Sequence, residues 1–257
     1  MLSKMSPQAF DTLYQTISES RLYSIQPCWE HAIPENETFA LQITLFGIGT
    51  DFALAVSQAV TELGKSGLRP GGHYEVVAVR SIAPDGEVEI FSREQGFVTL
   101  PQAHDMQAWL GAGREVIERC EVRFITPLRI KEGNDLLRTA PGYAQLMRRI
   151  MGRVDQIAHA AQAATPLAKT ERAELFGEAD AVEIESARII PYAIERRSAR
   201  SGQQMQFEGL TGSLVYRGKM RFTLPWLRLA SLVQVGGKTS FGFGGTALNT
   251  EPLDTEA

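Results

Sequence analysis

The chain has 257 residues, of which 44% are hydrophobic and 22% charged, with a formal net charge of -4. That is the composition of an ordinary folded protein with core enough for one large domain or two small ones, and it excludes disordered and fibrous classes. The opening Met-Leu-Ser-Lys-Met-Ser-Pro-Gln holds no apolar signal region and no later run is apolar over a spanning length, so a cytoplasmic protein without a membrane partner is expected.

In chain order, a helix is predicted from Pro7 to Ser20, followed by an irregular passage through Cys28, His31 and Pro34. Phe39, Leu41, Ile43 and Leu45 then alternate with smaller or polar residues, the period of a half-buried strand. Gly47 and Gly49 end it, Thr50 or Asp51 is placed to cap a helix, and Phe52, Ala55, Val56, Ala59, Val60 and Leu63 recur at helical spacing until Gly64 closes the element. A loop over 65–72 leads to a strand from His73 to Arg80, and Asp85-Gly86 turns it into a partner strand, Glu87 to Phe91. A short helix is expected from Pro101 to Leu110.

The order then repeats. Glu115 to Leu128 reads as a strand, and Pro141-Gly142 opens a long helix to Ala164, with Leu146, Ile150, Val154, Ile157 and Ala161 on one stripe and Arg148, Arg149 and Arg153 off it. An acidic connection, Pro166 to Asp180, precedes strands at Ala181–Tyr192 and Gln204–Tyr216 that are joined by a basic turn. A helix at Pro225–Val235, a glycine-rich loop and a last strand at Phe243–Asn249 complete the chain. The fold class is therefore α+β, each half reading β-α-β-β-α-β, the ferredoxin-like order, with domains at 1–113 and 114–257.

Cys28 and Cys120 are too few for a disulfide framework and too far apart for metal-ligand spacing, so both are expected to be buried thiols, and neither a metal nor a cofactor is expected. Charge is unevenly spread. Between Ser186 and Gly245 stand Arg188, Arg196, Arg197, Arg200, Arg217, Lys219, Arg221, Arg228 and Lys238 against only Glu195 and Glu208. A basic segment on an acidic body is the footprint of a polyanion-binding face, although a solvated basic face has the same composition.

Inside that segment lies Gly236-Gly237-Lys238-Thr239-Ser240-Phe241-Gly242-Phe243-Gly244-Gly245. Successive exposed N–H groups in such a loop can cradle an anion, with Lys238 adding a cation; the same glycines also suit a tight passage into the last strand. Two nucleotide motifs fail on spacing. Leu232 stands where a Walker A loop needs glycine, and Ala247 where a dinucleotide fingerprint needs its third glycine. A small-molecule enzyme holding phosphates in this loop is disfavoured accordingly.

The run Phe207-Glu-Gly-Leu-Thr-Gly-Ser-Leu-Val-Tyr-Arg-Gly218, then Pro225-Trp-Leu-Arg-Leu229, then Val235 to Gly245, resembles the C-terminal part of the CRISPR-associated RAMP endoribonucleases, the sixth Cas protein. Ile125-Thr-Pro-Leu-Arg-Ile130 is similar to the opening strand of that family's second domain. Leu45-Phe-Gly47 and Leu63-Gly-Lys-Ser-Gly-Leu68 are similar to segments of its first. The resemblance implies tandem ferredoxin-like domains, CRISPR repeat RNA as substrate and partner, and metal-independent cleavage in which the RNA 2′-OH attacks the adjacent phosphate. It equally admits a non-catalytic RAMP subunit that holds CRISPR RNA among the subunits of a Cascade-like or type III effector complex.

Such cleavage needs a base, an acid and cations for the developing charge, and histidine suits the first two roles. Of the four histidines, His73 follows the 65–72 loop in the region where, by the resemblance, first-domain catalytic residues often lie. Lys65, Arg69 and Tyr74 are its candidate partners, and His31 is the next candidate. The bland reading is that His73 merely begins a strand. His159 reads as structural and His104 as a helix-start residue. For RNA binding, Gly236, Gly237, Lys238, Thr239, Ser240, Gly242 and Gly244 match the family motif, whereas Arg196, Arg197, Arg200, Arg217, Lys219 and Arg221 are chosen on charge.

Overall fold

A computed structural model describes residues 1–15, 20–29, 33–68, 72–111, 115–165, 167–197 and 204–250. It is an α+β structure with antiparallel sheets, and no described helix is long and apolar enough to cross a membrane. Contacts group the chain into two units: residues 1–23, 45–112 and 157–164 form one, and residues 24–44, 113–156 and 165–257 the other.

The chain begins with α1 (Leu2–Met5) and α2 (Pro7–Phe10), where Ser6 accepts the Ala9 N–H as a helix cap. A π-type turn, Asp11–Gln15, follows, so the helix expected to reach Ser20 is shorter and less regular. β1 (Tyr23–Gln26) arises within the passage expected to be irregular and pairs with β2 (Gln42–Leu45), the C-terminal part of the strand predicted at 39–45.

A 3₁₀ segment, Gly47–Phe52, feeds α3 (Ala53–Ser66). Neither expected cap acts: Thr50 Oγ1 donates back to the Gly47 carbonyl at 2.8 Å. Gly64 lies inside the helix and not at its end, because a Cβ there would stand 2.4 Å from the Tyr74 carbonyl oxygen. Gly67, at φ 81°, stops the helix instead. β3 (Ala78–Ala83) and β4 (Gly86–Ser92) meet at the predicted Asp85-Gly86 turn, β5 (Gly96–Phe97) adds an edge, and α4 (Met106–Gly111) follows. The ladder begins five residues later than His73. Among the described residues the first half thus forms a two-stranded and a three-stranded sheet.

In the second half the predicted order appears in full. β6 (Ile117–Leu128), a small hairpin of β7 (Lys131–Glu132) and β8 (Asp135–Leu136), α5 (Tyr143–Ala160), α6 (Lys169–Asp180), β9 (Glu183–Arg197), β10 (Gln204–Met220), α7 (Leu224–Val233) and β11 (Thr246–Asn249) follow one another. The sheet runs β11-β6-β10-β9 with every pair antiparallel, as a ferredoxin-like unit requires. Alternate residues Cys120, Val122 and Phe124 of β6 and Leu214 and Tyr216 of β10 are buried, as are Leu146, Ile150 and Val154 of α5 and most of α7. Val122, Leu146, Ile150, Leu227 and Ala230 line a common seam, which is the core. Burial raises the Cys120 thiol to about 12, so it is inert at neutral pH, whereas Cys28 is only half-buried, contrary to expectation.

Three features of this half depart from the sequence reading. α5 stops at Ala160. The acidic connection contains α6, anchored by buried Leu175 and Ala179. Arg153, placed off the apolar stripe, is buried: its Nε donates to the Val233 carbonyl at 3.2 Å, and desolvation lowers its pKa to about 10. Gly152 beside it faces open space on α5. Gly152→Ala is therefore expected to stabilise the protein by about 0.5–1 kcal/mol, read as a higher midpoint in urea unfolding.

The start of α7 is tied down by Glu178 of α6. Its carboxylate accepts the N–H groups of Arg221, Phe222 and Thr223, each at 2.9 Å, and the Thr223 hydroxyl at 2.8 Å. Tyr143 in turn donates to that hydroxyl at 2.7 Å. An anion on the free N–H groups of a helix start is favoured by the helix dipole. Glu178→Ala leaves these donors unmet, and a loss of about 2–3 kcal/mol is expected in the same unfolding measurement.

Candidate nucleic-acid interface

The last turn of α3 is closed by the chain that returns after the 65–72 loop. The Tyr74 N–H reaches the Gly64 carbonyl at 3.2 Å, and the Tyr74 hydroxyl donates to the Val60 carbonyl at 2.7 Å. Burial raises the Tyr74 pKa, so the phenol serves as an anchor. Between these contacts His73 is exposed, its Nδ1 lying 3.0 Å from the Lys65 carbonyl oxygen. A carbonyl can only accept, so Nδ1 carries the hydrogen, and in the neutral tautomer that this selects the lone pair belongs to Nε2. The Lys65 ammonium, 68% exposed, pairs with Glu62 at 2.5 Å, a solvated pair of little energetic worth that leaves the cation available.

The structure thus brings His73, Lys65 and Tyr74 together at one helix end. Arg69 and His31 lie outside the described residues. His159 is exposed in the last turn of α5, and His104 packs edge-on against Trp109 at 6.3 Å. Among the described residues no cluster of three or more His, Cys, Asp or Glu is placed to hold a metal ion.

The glycine-rich loop is built differently from an open cradle. Its N–H groups are largely spent on the chain itself: Gly237 donates to the Arg129 carbonyl at 2.8 Å, Gly242 to Thr239 at 3.0 Å, Gly244 to Pro127 at 2.9 Å and Gly245 to Thr126 Oγ1 at 2.8 Å. The glycines let backbones meet. At Gly244, with φ 81°, a Cβ would stand 2.0 Å from the Val235 carbonyl oxygen. The tight-passage reading therefore accounts for the glycines, and what the loop offers outward is side chains.

Those side chains are Lys238, at φ 68°, and Phe241. The Lys238 ammonium lies 5.3 Å from the Phe207 ring centre and 5.7 Å from that of Phe241, a double cation–π contact. Below it Phe207 meets Phe243 at 5.8 Å, and Phe243 meets Trp29 at 5.7 Å. Ser240 is half-buried and Thr239 buried. Residues from the front of the chain brace this region: Ser24 Oγ donates to the Leu232 carbonyl at 3.2 Å, Gln42 Nε2 to that of Ser231 at 3.0 Å, and the Pro27 ring leaves no room for a side chain at Gly242.

Sequence reasoning missed Arg129 and Arg138. Arg129 forms the bridge to Gly236 and donates through Nη1 to the Glu208 carbonyl at 3.2 Å, while Arg138 pairs with the Glu208 carboxylate at 2.8 Å. Arg129 belongs to the Ile125–Ile130 motif, which is the sequence signal that points to it.

The charge-chosen residues do not gather on one surface. The backbone of Arg196 and Arg197 pairs with Met205 and Gln204, the end of β10 that carries Phe207, whereas Arg200 lies outside the described residues. Arg217 stands ten residues further along β10 than Phe207, roughly 30 Å away at the rise of a strand. Lys219 and Arg221 follow it, Arg221 resting over the Phe222 ring at 5.5 Å. The basic segment is therefore split between the two ends of one long hairpin.

Comparison with known proteins bears on this arrangement. The sequence profile described as CRISPR-associated endoribonuclease Cas6 matches residues 122–246, from the middle of β6 through the glycine-rich loop to the start of β11. No curated protein matches in sequence. Among solved structures, a Thermus thermophilus Cas6 superposes with a TM-score of 0.59 at 16% identity, covering 96% of this chain and 86% of its own. A Cas6 product complex gives 0.58 at 19% identity, covering 96% and 89%. A chain of a partial Cas6-RT-Cas1–Cas2 complex gives 0.56 at 18% identity, covering 98% of this chain and 43% of that one. The superpositions show a common fold, and the profile match adds the motif that the sequence shares. Over residues 122–246, nearly half of its length, the chain matches the family of the CRISPR-associated endoribonuclease Cas6.

Proposed function

We propose that the protein is an endoribonuclease that binds precursor CRISPR RNA and cuts it within its repeats by attack of a 2′-OH on the adjacent phosphate. The P–O2′ bond forms, the P–O5′ bond breaks, and the products carry a 2′,3′-cyclic phosphate and a 5′-OH. The observation that carries this reading is the profile match over 122–246, which includes the one exposed lysine of the glycine-rich loop.

In this scheme His73 Nε2 takes the proton from the 2′-OH, because its Nδ1–H is already committed to the Lys65 carbonyl. Lys65 supplies positive charge to the phosphorane-like transition state once it leaves Glu62, and the departing O5′ takes its proton from solvent water to become the 5′-OH. Tyr74 positions the segment through its bond to Val60. Lys238, Arg129 and the aromatic residues around Phe207 hold the RNA backbone and an unstacked base, which supplies affinity and a steep salt dependence. The tandem division at residues 113 and 114 is part of the same reading, as are a cytoplasmic setting and CRISPR effector subunits as partners.

Labelled repeat RNA incubated with the protein in EDTA tests the proposal. A single cut leaving a cyclic-phosphate end is expected. Tight binding with intact RNA would instead assign the chain to the non-catalytic RAMP subunits.

A further inference from the structure

The sheet of the second unit buries one face against α5 and α7, and its other face holds a concavity of about 290 Å³ far along the strands from Phe207 and Lys238. Its lining is polar. Register fixes two parallel rows of side chains on this face, and all of their members but Ala247 and Arg123 line the concavity. In one, Ala247 of β11, Arg123 of β6, Ser213 of β10 and Arg188 of β9 stand side by side; in the next, Asn249, Glu121, Val215 and Ser186 do.

Each row crosses four strands, and neighbours in it share a face because residues directly opposite in antiparallel strands project together. Arg123 and Arg188 therefore flank Ser213 on both sides, with Cα atoms about 10 Å apart at the usual strand spacing. Both are exposed, and among the described residues neither has a carboxylate or hydrogen-bond partner. Arg119 on the same face is different: its Nε is held by both oxygens of Glu185, at 3.1 and 3.2 Å. Two guanidinium side chains that flank a hydroxyl on one sheet face suit a phosphate.

The second row lies two residues along, roughly 7 Å away, which is the separation between a backbone phosphate and the edge of its own base. There Asn249 and Glu121 are register partners and offer an amide beside a carboxylate, a donor and acceptors for a base that carries an exocyclic amine. Glu121 also repels any phosphate from that row and confines it to the arginines. No aromatic side chain lies in either row, so stacking does not contribute.

We propose that this face is a second RNA-binding site, which takes a single-stranded nucleotide with its phosphate on Arg123, Ser213 and Arg188 and its amino-bearing base edge on Glu121 and Asn249. The inference rests on the chain being an RNA-binding protein, and it adds a strand path separate from the glycine-rich loop. The site prefers cytidine to uridine, since only cytidine presents an amine to Glu121.

Fluorescence anisotropy with short labelled oligocytidylate and oligouridylate tests it, run alongside repeat RNA on the same samples. The Arg123→Ala, Arg188→Ala double variant is expected to lose roughly tenfold in oligocytidylate affinity at low salt and about one unit of salt slope, while cutting repeat RNA as before. Glu121→Gln is expected to reduce the preference for cytidine. Both variants alter exposed or half-exposed side chains, and unchanged thermal melting checks that they fold. Equal oligocytidylate binding by wild type and double variant, with repeat RNA still bound, would overturn this site alone. Failure of the wild type to bind any RNA would overturn the functional reading with it. Cytidine monophosphate binding as tightly as the oligomer would assign the site to free nucleotides and overturn the strand path.

Discussion

His73→Ala is expected to slow single-turnover cleavage of repeat RNA by roughly 10²- to 10⁴-fold while leaving the dissociation constant for the same RNA within about twofold. Removal of a proton-transfer group acts on the transition state alone, so the two numbers should separate. The structure makes this a sharp expectation, because the imidazole is exposed and, among the described residues, is held by one bond, from Nδ1 to a main-chain carbonyl. Alanine removes that bond, but the Tyr74 N–H to Gly64 and Tyr74 hydroxyl to Val60 bonds remain and keep the segment on α3. The measurement is a time course with end-labelled RNA at saturating protein, paired with binding to a 2′-deoxy repeat that cannot be cut. Unchanged cutting would remove His73 from the mechanism and direct attention to the residues around His31.

Gly244→Ala is expected to destabilise the protein by about 4 kcal/mol, enough to lower the urea midpoint drastically or to prevent soluble expression. The added Cβ would stand 2.0 Å from the Val235 carbonyl oxygen and 2.8 Å from its nitrogen, at a residue with φ 81°. Both atoms are backbone, so no side chain can swing away, and the Val235 N–H bond to the Gly244 carbonyl at 2.8 Å would break as the two segments separate. The strain falls where α7 hands over to the loop that presents Lys238. Gly142→Ala, at a glycine with open space, is the matched control. If both substitutions are tolerated alike, the close approach of these backbones is wrong.

Much of the fold was legible because periodicity survives in single segments. Phe52, Ala59 and Leu63 announced α3, and alternation in β6 and β10 announced the ferredoxin-like half with its strand order. What escaped were features decided by distant partners. β1 has no alternation to show, since it is braced by residues around 231 and 232. Gly64 reads as a helix stop but serves to admit the Tyr74 ring. α6 is a weakly amphipathic helix held by Leu175, Ala179 and the reach of Glu178 to the start of α7, none of which a local pattern displays. In the site, Lys238 was identifiable from the glycines around it. The spending of the loop's N–H groups on Pro127, Arg129 and Thr126 was not, because sequence cannot say which carbonyl a glycine approaches.

The brace formed by residues 24–44 also sets an order of events during synthesis. The bond from Gln42 to Ser231 spans 189 residues and that from Ser24 to Leu232 spans 208. At a ribosomal rate of about 5–20 residues per second, the early segment is out for roughly 10 to 40 s before its partners exist. Until then β1 and β2 wait with one flank unprotected, and a chain halted anywhere before α7 never completes the second unit. A fragment starting at residue 114 would inherit the same defect from the other side, with Phe243 and the glycines at 242 and 245 bared where Trp29, Pro27 and Gln26 belong. The part of the chain that carries the family motif therefore depends for its integrity on residues made long before it.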